Sequence, residues 1–392
     1  MAMFKPLQVG PFTLKNRFVL APLVRARCDD ERAPTPLVAE YYVQRASAGL
    51  LISEGTHISD MSVTRSGSSA NYREKQKKAW AQVVNAVHAA DGVIFQQLYH
   101  VGRKAIAAVM PGGVAPIAPS PIPAVGGVLT EEGLQPFTLP RKIELSEIPG
   151  LIDEFRNSAQ HAWDAGFDGI EIQGGNGFLI DQFLRDGANK RTDDYGGPIQ
   201  NRARFLLEVI DAVSGIFGAN RVGVRLSPHF RADGFGDSNA VDTFHYVAEE
   251  LNKRGIAYLH LLEGIERQTG PAVPLYKRLF DLNAPAGPVG NDAYFAPLLR
   301  RAFKGPLILN GSYTRETAFS TVATGNADAI SFGRLYIANP DLPERFRIDA
   351  PLNQVDVSTF YTAGAKGYTD YPSLPDKAKG DVDGQSSTLP VP

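Results

Sequence analysis

Eight short runs of apolar and β-branched residues recur along the chain: RFVLAPL (17–23), GLLISEG (49–55), GVIFQQLYH (92–100), GFDGIEIQ (166–173), RVGVRLSP (221–228), IAYLHLLE (256–263), GPLILNG (305–311) and ADAISFGR (327–334). Each is too short for a helix and is bounded by turn residues, so each predicts a strand. Their nearly continuous apolar character suits strands covered on both faces, as in a parallel sheet. Between them the period becomes helical, as in EKQKKAWAQVVNAVHAA (74–90), LIDEFRNSAQHAWDAG (151–166), NRARFLLEVIDAVSGIF (201–217) and AVDTFHYVAEELNKRG (240–255). In the last, Val241, Phe244, Val247, Ala248 and Leu251 share one face.

Eight strands alternating with helices predict parallel βαβ units, and eight is the number that closes a (β/α)8 TIM barrel. An open doubly wound sheet is the competing arrangement, but the first βα turns lack the G-x-G-x-x-G fingerprint that would support it. One segment breaks the even spacing: residues 101–145, after the third strand, are rich in proline and glycine and too long for an ordinary βα loop. They are expected to form a lid or hairpin insertion over the barrel mouth. The polar tail 376–392 is expected to be disordered, leaving 1–375 as a single domain.

At 392 residues and 43% hydrophobic content, the chain can bury the core such a barrel needs. A net charge of −2 gives no pull toward nucleic acid or an anionic membrane, which leaves a small molecule as the expected ligand. The single cysteine, Cys28, excludes an internal disulfide framework and fits a reducing compartment. No run approaches the roughly 20 apolar residues of a membrane span, and the first residues lack a signal-peptide core. A cytoplasmic protein is expected. The seven histidines show no H-x-x-x-H spacing, and no metal site is expected.

Barrel enzymes place their chemistry where strands end and βα loops begin. Here those ends carry Pro22, Leu23, Val24, Arg25, Glu54, Gly55, Gln97, Tyr99, His100, Gln173, Asn176, Arg225, Asn310, Gly311, Ser312, Gly333 and Arg334. Arg225 and Arg334 from separate strands, with glycine turns after the seventh and eighth, form a set that can hold a phosphate. Ion pairs at the rim are the alternative use of both arginines. Gln97 and Gln173 are amides that must find partners if buried. A flat heterocycle can supply them for Gln97; loop backbone can satisfy both. Gln173, Asn176 and Phe178 stand at the end of the fourth strand, where catalytic groups are expected, yet none of them titrates near neutral pH.

The stretches APLVRAR (21–27), FQQLYHVGR (95–103), NGFLIDQFLRDGANKRTDDYGGPIQNRARFLLEV (176–209), VGVRLSP (222–228), SFGRLYIANPDLPERF (331–346) and GYTDYP (367–372) resemble the Old Yellow Enzyme family of flavin-dependent ene reductases, in that family's order and spacing. The resemblance implies a barrel holding non-covalent FMN. It places Pro22, Leu23 and Val24 beside the isoalloxazine, the Gly55 backbone and Gln97 on its polar edges, and Arg225 near N1–C2. Gly311, Ser312, Gly333 and Arg334 would hold the phosphate. It further implies that NAD(P)H reduces the flavin and that hydride then passes to the β-carbon of an α,β-unsaturated carbonyl compound.

The family typically clamps the carbonyl with a histidine and an asparagine or second histidine, and protonates the α-carbon from a tyrosine. The matching positions here are Gln173, Asn176 and Phe178. Two amides can still donate to an oxyanion, but a phenyl ring protonates nothing. Water or another group, Tyr99 among them, must supply the proton, or the reaction needs none. Val24 stands where threonine or cysteine is usual, and Tyr99 where tryptophan is common. The implied function is ene reduction with altered proton delivery. Isomerisation, desaturation and a catalytically silent flavin binder remain alternatives.

Overall fold

A computed structural model describes residues 1–63, 66–130, 133–230, 236–263 and 295–375. Its eight barrel strands are β1 Phe18–Leu20, β2 Leu50–Ile52, β3 Ile94–Tyr99, β4 Gly169–Gln173, β5 Val222–Leu226, β6 Tyr258–Leu262, β7 Leu307–Asn310 and β8 Ala329–Phe332. Each pairs in parallel with its neighbour in chain order, β8 pairs with β1, and the sheet closes as a (β/α)8 barrel. All eight apolar runs therefore become strands, and the open-sheet alternative is excluded.

Strand geometry sends alternate side chains to opposite faces, and the two faces bury different chemistry. Outward residues such as Leu98, Ile170, Ile172, Val224, Leu261, Leu309 and Ile330 pack with the helices in one cluster that includes Trp80, Phe155, Phe205 and Phe244. Inward residues nearer the strand starts, Val19, Leu50, Ile52, Phe95, Tyr258, Ile308 and Ala329, form a second apolar cluster. An antiparallel pair, Leu7–Val9 with Phe12–Leu14, contributes Val9 and Leu14 to it and closes the bottom of the barrel. Gly223 makes room for this layer: a Cβ there would meet the Tyr258 ring at 2.2 Å. Above the apolar layer the inward positions turn polar, and the site begins.

The helices follow the predicted periods, at Glu74–Ala89, Ile148–Asp164, Ile199–Phe217 and Ala240–Arg254. The last is capped by Asn239, which accepts the Asp242 N–H, and ends at Gly255 with φ 67°, the left-handed stop that glycine adopts most readily. Two loop features bear on the barrel mouth. Within 101–145, Gly127–Thr130 and Gly133–Pro136 pair as an antiparallel hairpin. The segment Thr359–Tyr368 is tied to the loop after β1, because Arg25 donates to the Phe360 and Gly367 carbonyls and Tyr368 stacks on Tyr41 at 4.3 Å. This strap fixes Arg25, the residue directly after Pro22–Val24. The tail 376–392, expected to be disordered, lies outside the described residues.

Candidate active site

At the upper end of the barrel, Gln97, Glu171, Arg225, His260, Asn310 and Ser331 come from six consecutive strands, β3 to β8. Glu171 and Gln97 are register partners, as are Arg225 and His260. Gln97 donates through Nε2 to Glu171 Oε1 at 2.7 Å, and Tyr258 donates to Glu171 Oε2 at 3.1 Å. His260 Nδ1 stands 2.8 Å from Glu171 Oε2, while its Nε2 lies 2.6 Å from Arg225 Nη1 and 2.7 Å from Ser331 Oγ. Arg225 Nη2 donates to Asn310 Oδ1 at 2.9 Å, and Asn310 Nδ2 to the Ser331 carbonyl at 2.8 Å.

Burial and the Arg225 guanidinium push the His260 imidazole down to about 4, so it is neutral at pH 7. With its proton on Nδ1, pointed at the carboxylate, Nε2 is left to accept from Arg225. Burial alone would raise Glu171, but the charge and hydrogen bonds around it outweigh burial and hold it below the ordinary carboxylate range. Under the site there is thus one anion, one cation and a neutral histidine between them. A buried charge pair persists when its remaining hydrogen-bonding capacity is met; Arg225 Nε meets no partner among the described residues.

That orphaned donor bears on whether FMN fits. A buried guanidinium N–H without a partner is costly unless a ligand accepts it, and Arg225 lies at the end of β5, where the resemblance puts the flavin N1–C2 edge. Gln97, with its Nε2 committed to Glu171, has its Oε1 toward Gly55. The segment Pro22, Leu23 and Val24 is only partly buried although Ala21 and Arg25 on either side are buried, leaving an apolar wall at the barrel mouth. After β7, Gly311 holds φ 141° and a Cβ there would fall 2.0 Å from the Glu263 carbonyl oxygen. Ser312 follows in the left-handed region with φ 51°, and its Oγ is 3.4 Å from Arg334 Nη2. Gly333 precedes that arginine, with room for a Cβ only against Leu23, at 3.3 Å. The residue set fits a flavin.

On the other flank of the mouth, Gln173 and Arg225 are register partners on β4 and β5. Gln173 is buried, and its Oε1 accepts the Gly175 N–H at 3.2 Å, so loop backbone fixes that amide with its NH2 as the remaining donor. Asn176 sits at φ 58°, a left-handed conformation that asparagine tolerates better than most residues. Its N–H donates to Ser227 Oγ at 2.6 Å, and its Oδ1 is buried without a partner among the described residues. Phe178 packs edge-on against Tyr99, centroids 5.1 Å apart. Tyr99 in turn stacks on His57 at 4.6 Å with its hydroxyl 3.1 Å from His57 Nε2. Burial lowers the His57 imidazole well below its ordinary value.

Sequence reasoning missed four members of this site. Glu171, His260 and Ser331 were hidden because single polar residues inside apolar runs read as drift; the signal lay in their period of two. Lys104, which directly follows Gly102 and Arg103 in the insertion, reaches back to Asn176 and Phe178. The 264–288 loop, expected to shape the pocket, lies outside the described residues.

The family model of the NADH:flavin oxidoreductase / NADH oxidase family matches residues 2–353. The chain is 42% identical over 373 residues to 12-oxophytodienoate reductase 2 of Arabidopsis thaliana, covering 94% of this chain and 95% of that relative. Among solved structures, the old yellow enzyme homologue from Zymomonas mobilis superposes with a TM-score of 0.87 at 42% identity, over 95% of this chain and 99% of that one. Morphinone reductase in complex with tetrahydroNAD gives a TM-score of 0.85 at 43% identity, over 96% and 98%.

Proposed function

Because the chain belongs to the NADH:flavin oxidoreductase / NADH oxidase family, and so is an FMN-dependent oxidoreductase, we propose that it reduces the C=C bond of α,β-unsaturated carbonyl compounds at the expense of NAD(P)H. Bound FMN supplies the two-electron relay between nicotinamide and substrate. Gln173 and Asn176 donate to the substrate carbonyl, holding the oxyanion that develops when hydride adds at the β-carbon. Such a donor is typically worth about 10²–10³ in rate. Pro22, Leu23, Val24, Gly55, Gln97 and Arg225 seat the ring, and Gly311, Ser312, Gly333 and Arg334 the phosphate. The observation that supports the reading is the pairing of Gln173 with Arg225 in one register, because the reaction needs its carbonyl donor beside the flavin edge. The relatives named as reductases of 12-oxophytodienoate and morphinone support a small unsaturated carbonyl substrate.

A second reading follows from Phe178: without a phenol at that position, isomerisation of an unsaturated carbonyl compound by return of the hydride needs no net protonation. Anaerobic titration separates the two. Bleaching of the flavin by NADH or NADPH followed by recolouring with cyclohexenone is expected for a reductase. Bleaching with no recolouring across a panel of enones would overturn that reading.

A further inference from the structure

Resting on that reading, we propose that Lys104 is the acid that protonates the substrate α-carbon in place of the missing tyrosine. Lys104 is 8% exposed, and its ammonium is 3.2 Å from the carbonyl oxygen of Asn176, one of the two clamp residues. It lies 5.2 Å from the ring centroid of Phe178, over the position where the resembling family keeps its phenol, and 5.1 Å from that of Phe230. Two aromatic faces stabilise an ammonium held out of water, so the cation is kept at the clamp. An alkylammonium and a phenol have nearly the same ordinary acidity, about 10. Exchanging one for the other changes the tether of the acid, from a rigid ring to a four-carbon chain.

The step balances as follows. Hydride supplied by the bound reduced flavin would form the Cβ–H bond as its bond to the donor breaks; the C=C π pair would become the Cα=C bond of an enolate, and the carbonyl π pair its oxyanion, held by the two amides. As the enolate collapses, its pair takes a proton from Lys104: the Nζ–H bond breaks, Cα–H forms, and the neutral amine recovers a proton from water. Tyr99, the other acid at hand, has its hydroxyl within 3.1 Å of His57 Nε2.

The test is stopped-flow reoxidation of the reduced holoenzyme by cyclohexenone. Lys104→Met is expected to slow reoxidation, relative to reduction by NADPH, by at least about 100-fold, the usual scale of general acid catalysis. Added methylammonium should restore the rate in proportion to its concentration, which a merely structural lysine would not allow. Lys104→Arg keeps the cation but cannot release its proton near neutral pH, so it should be slow as well. Calorimetric affinity for cyclohexanone, which is not turned over, should be unchanged in both variants. The proposal is overturned if Lys104→Met reoxidises at the parent rate, if Lys104→Arg does, if lost cyclohexanone affinity accounts for the whole defect, or if Tyr99→Phe alone removes the activity. A parent protein that no enone reoxidises would instead overturn the reductase reading itself.

Discussion

Replacing Glu171 by glutamine should weaken the fold and the cofactor site together, by amounts that follow from its hydrogen bonds. Glu171 accepts from Gln97, Tyr258 and His260 at 2.7, 3.1 and 2.8 Å. Hydrogen bonds to a charged group contribute about 1.5–3 kcal/mol and neutral ones about 0.5–1.5, so neutralising the carboxylate costs about 1 kcal/mol at each bond, or roughly 3 in all. That matches the roughly 3–5 kcal/mol of breaking a buried ion pair, since Arg225 would stay buried without its anion. A glutamine must also turn its NH2 toward one partner. If it meets Gln97 Nε2, two donors face each other, and Gln97 relieves the conflict by flipping, which turns its own NH2 toward Gly55. The edge presented to FMN then changes from acceptor to donor, a mismatch of about 1–3 kcal/mol, or about 5- to 150-fold in affinity. Chemical denaturation of the apoprotein reads the first effect and FMN fluorescence titration the second. Unchanged stability together with unchanged FMN affinity in Glu171→Gln would refute the assignment of Glu171 as the anchor of the network.

Three further outcomes are expected. Val24→Thr restores the hydroxyl usual at this position in the resembling family; with the flavin seated as proposed, one neutral hydrogen bond of about 0.5–1.5 kcal/mol to the reduced form would raise a two-electron potential by about 10–30 mV, which potentiometry would detect. Glu54, at the end of the second barrel run, is pushed up by burial, against the pull of Arg25 and Arg27, from 4.5 to about 8. The folded protein then holds a proton at pH 7 that the unfolded chain has released. Stability should be fullest below pH 4.5 as far as this group is concerned, and fall by up to about 1.4 kcal/mol per pH unit as pH rises toward 8. Glu54→Gln should flatten that slope in urea titrations at several pH values. Gly311→Ala puts a Cβ 2.0 Å from the Glu263 carbonyl at φ 141°, so the turn must shift; FMN should be lost on dialysis from that variant and retained by the parent.

The barrel was legible because its outward positions are uniformly apolar: Ile170 and Ile172, or Leu307 and Leu309, mark their strands whatever lies between them. The same uniformity hid the inward set. Glu171 and His260 each interrupt an apolar run once, and only three-dimensional closure brings Gln97, Glu171, Arg225 and His260 within hydrogen-bonding distance across four strands. The positions at strand ends, from Pro22 to Arg334, could be read because barrel chemistry concentrates there. Lys104 could not, because it belongs to an insertion whose path back over Asn176 depends on turns such as Gly102, at φ 60°, and on contacts remote in sequence. The N-terminal hairpin was missed for another reason: strands of three residues, Leu7–Val9 and Phe12–Leu14, are too short to show a period.

Product analysis in deuterium oxide tests the central claim most directly. The holoenzyme, supplied with unlabelled NADPH and cyclohexenone under anaerobic conditions, should yield cyclohexanone carrying unlabelled hydrogen at the β-carbon and one deuterium at the α-carbon, delivered by the exchangeable acid over the clamp. Recovery of the enone, unreduced or with its double bond moved, while NADPH is not consumed, would contradict reduction as the reaction this site performs.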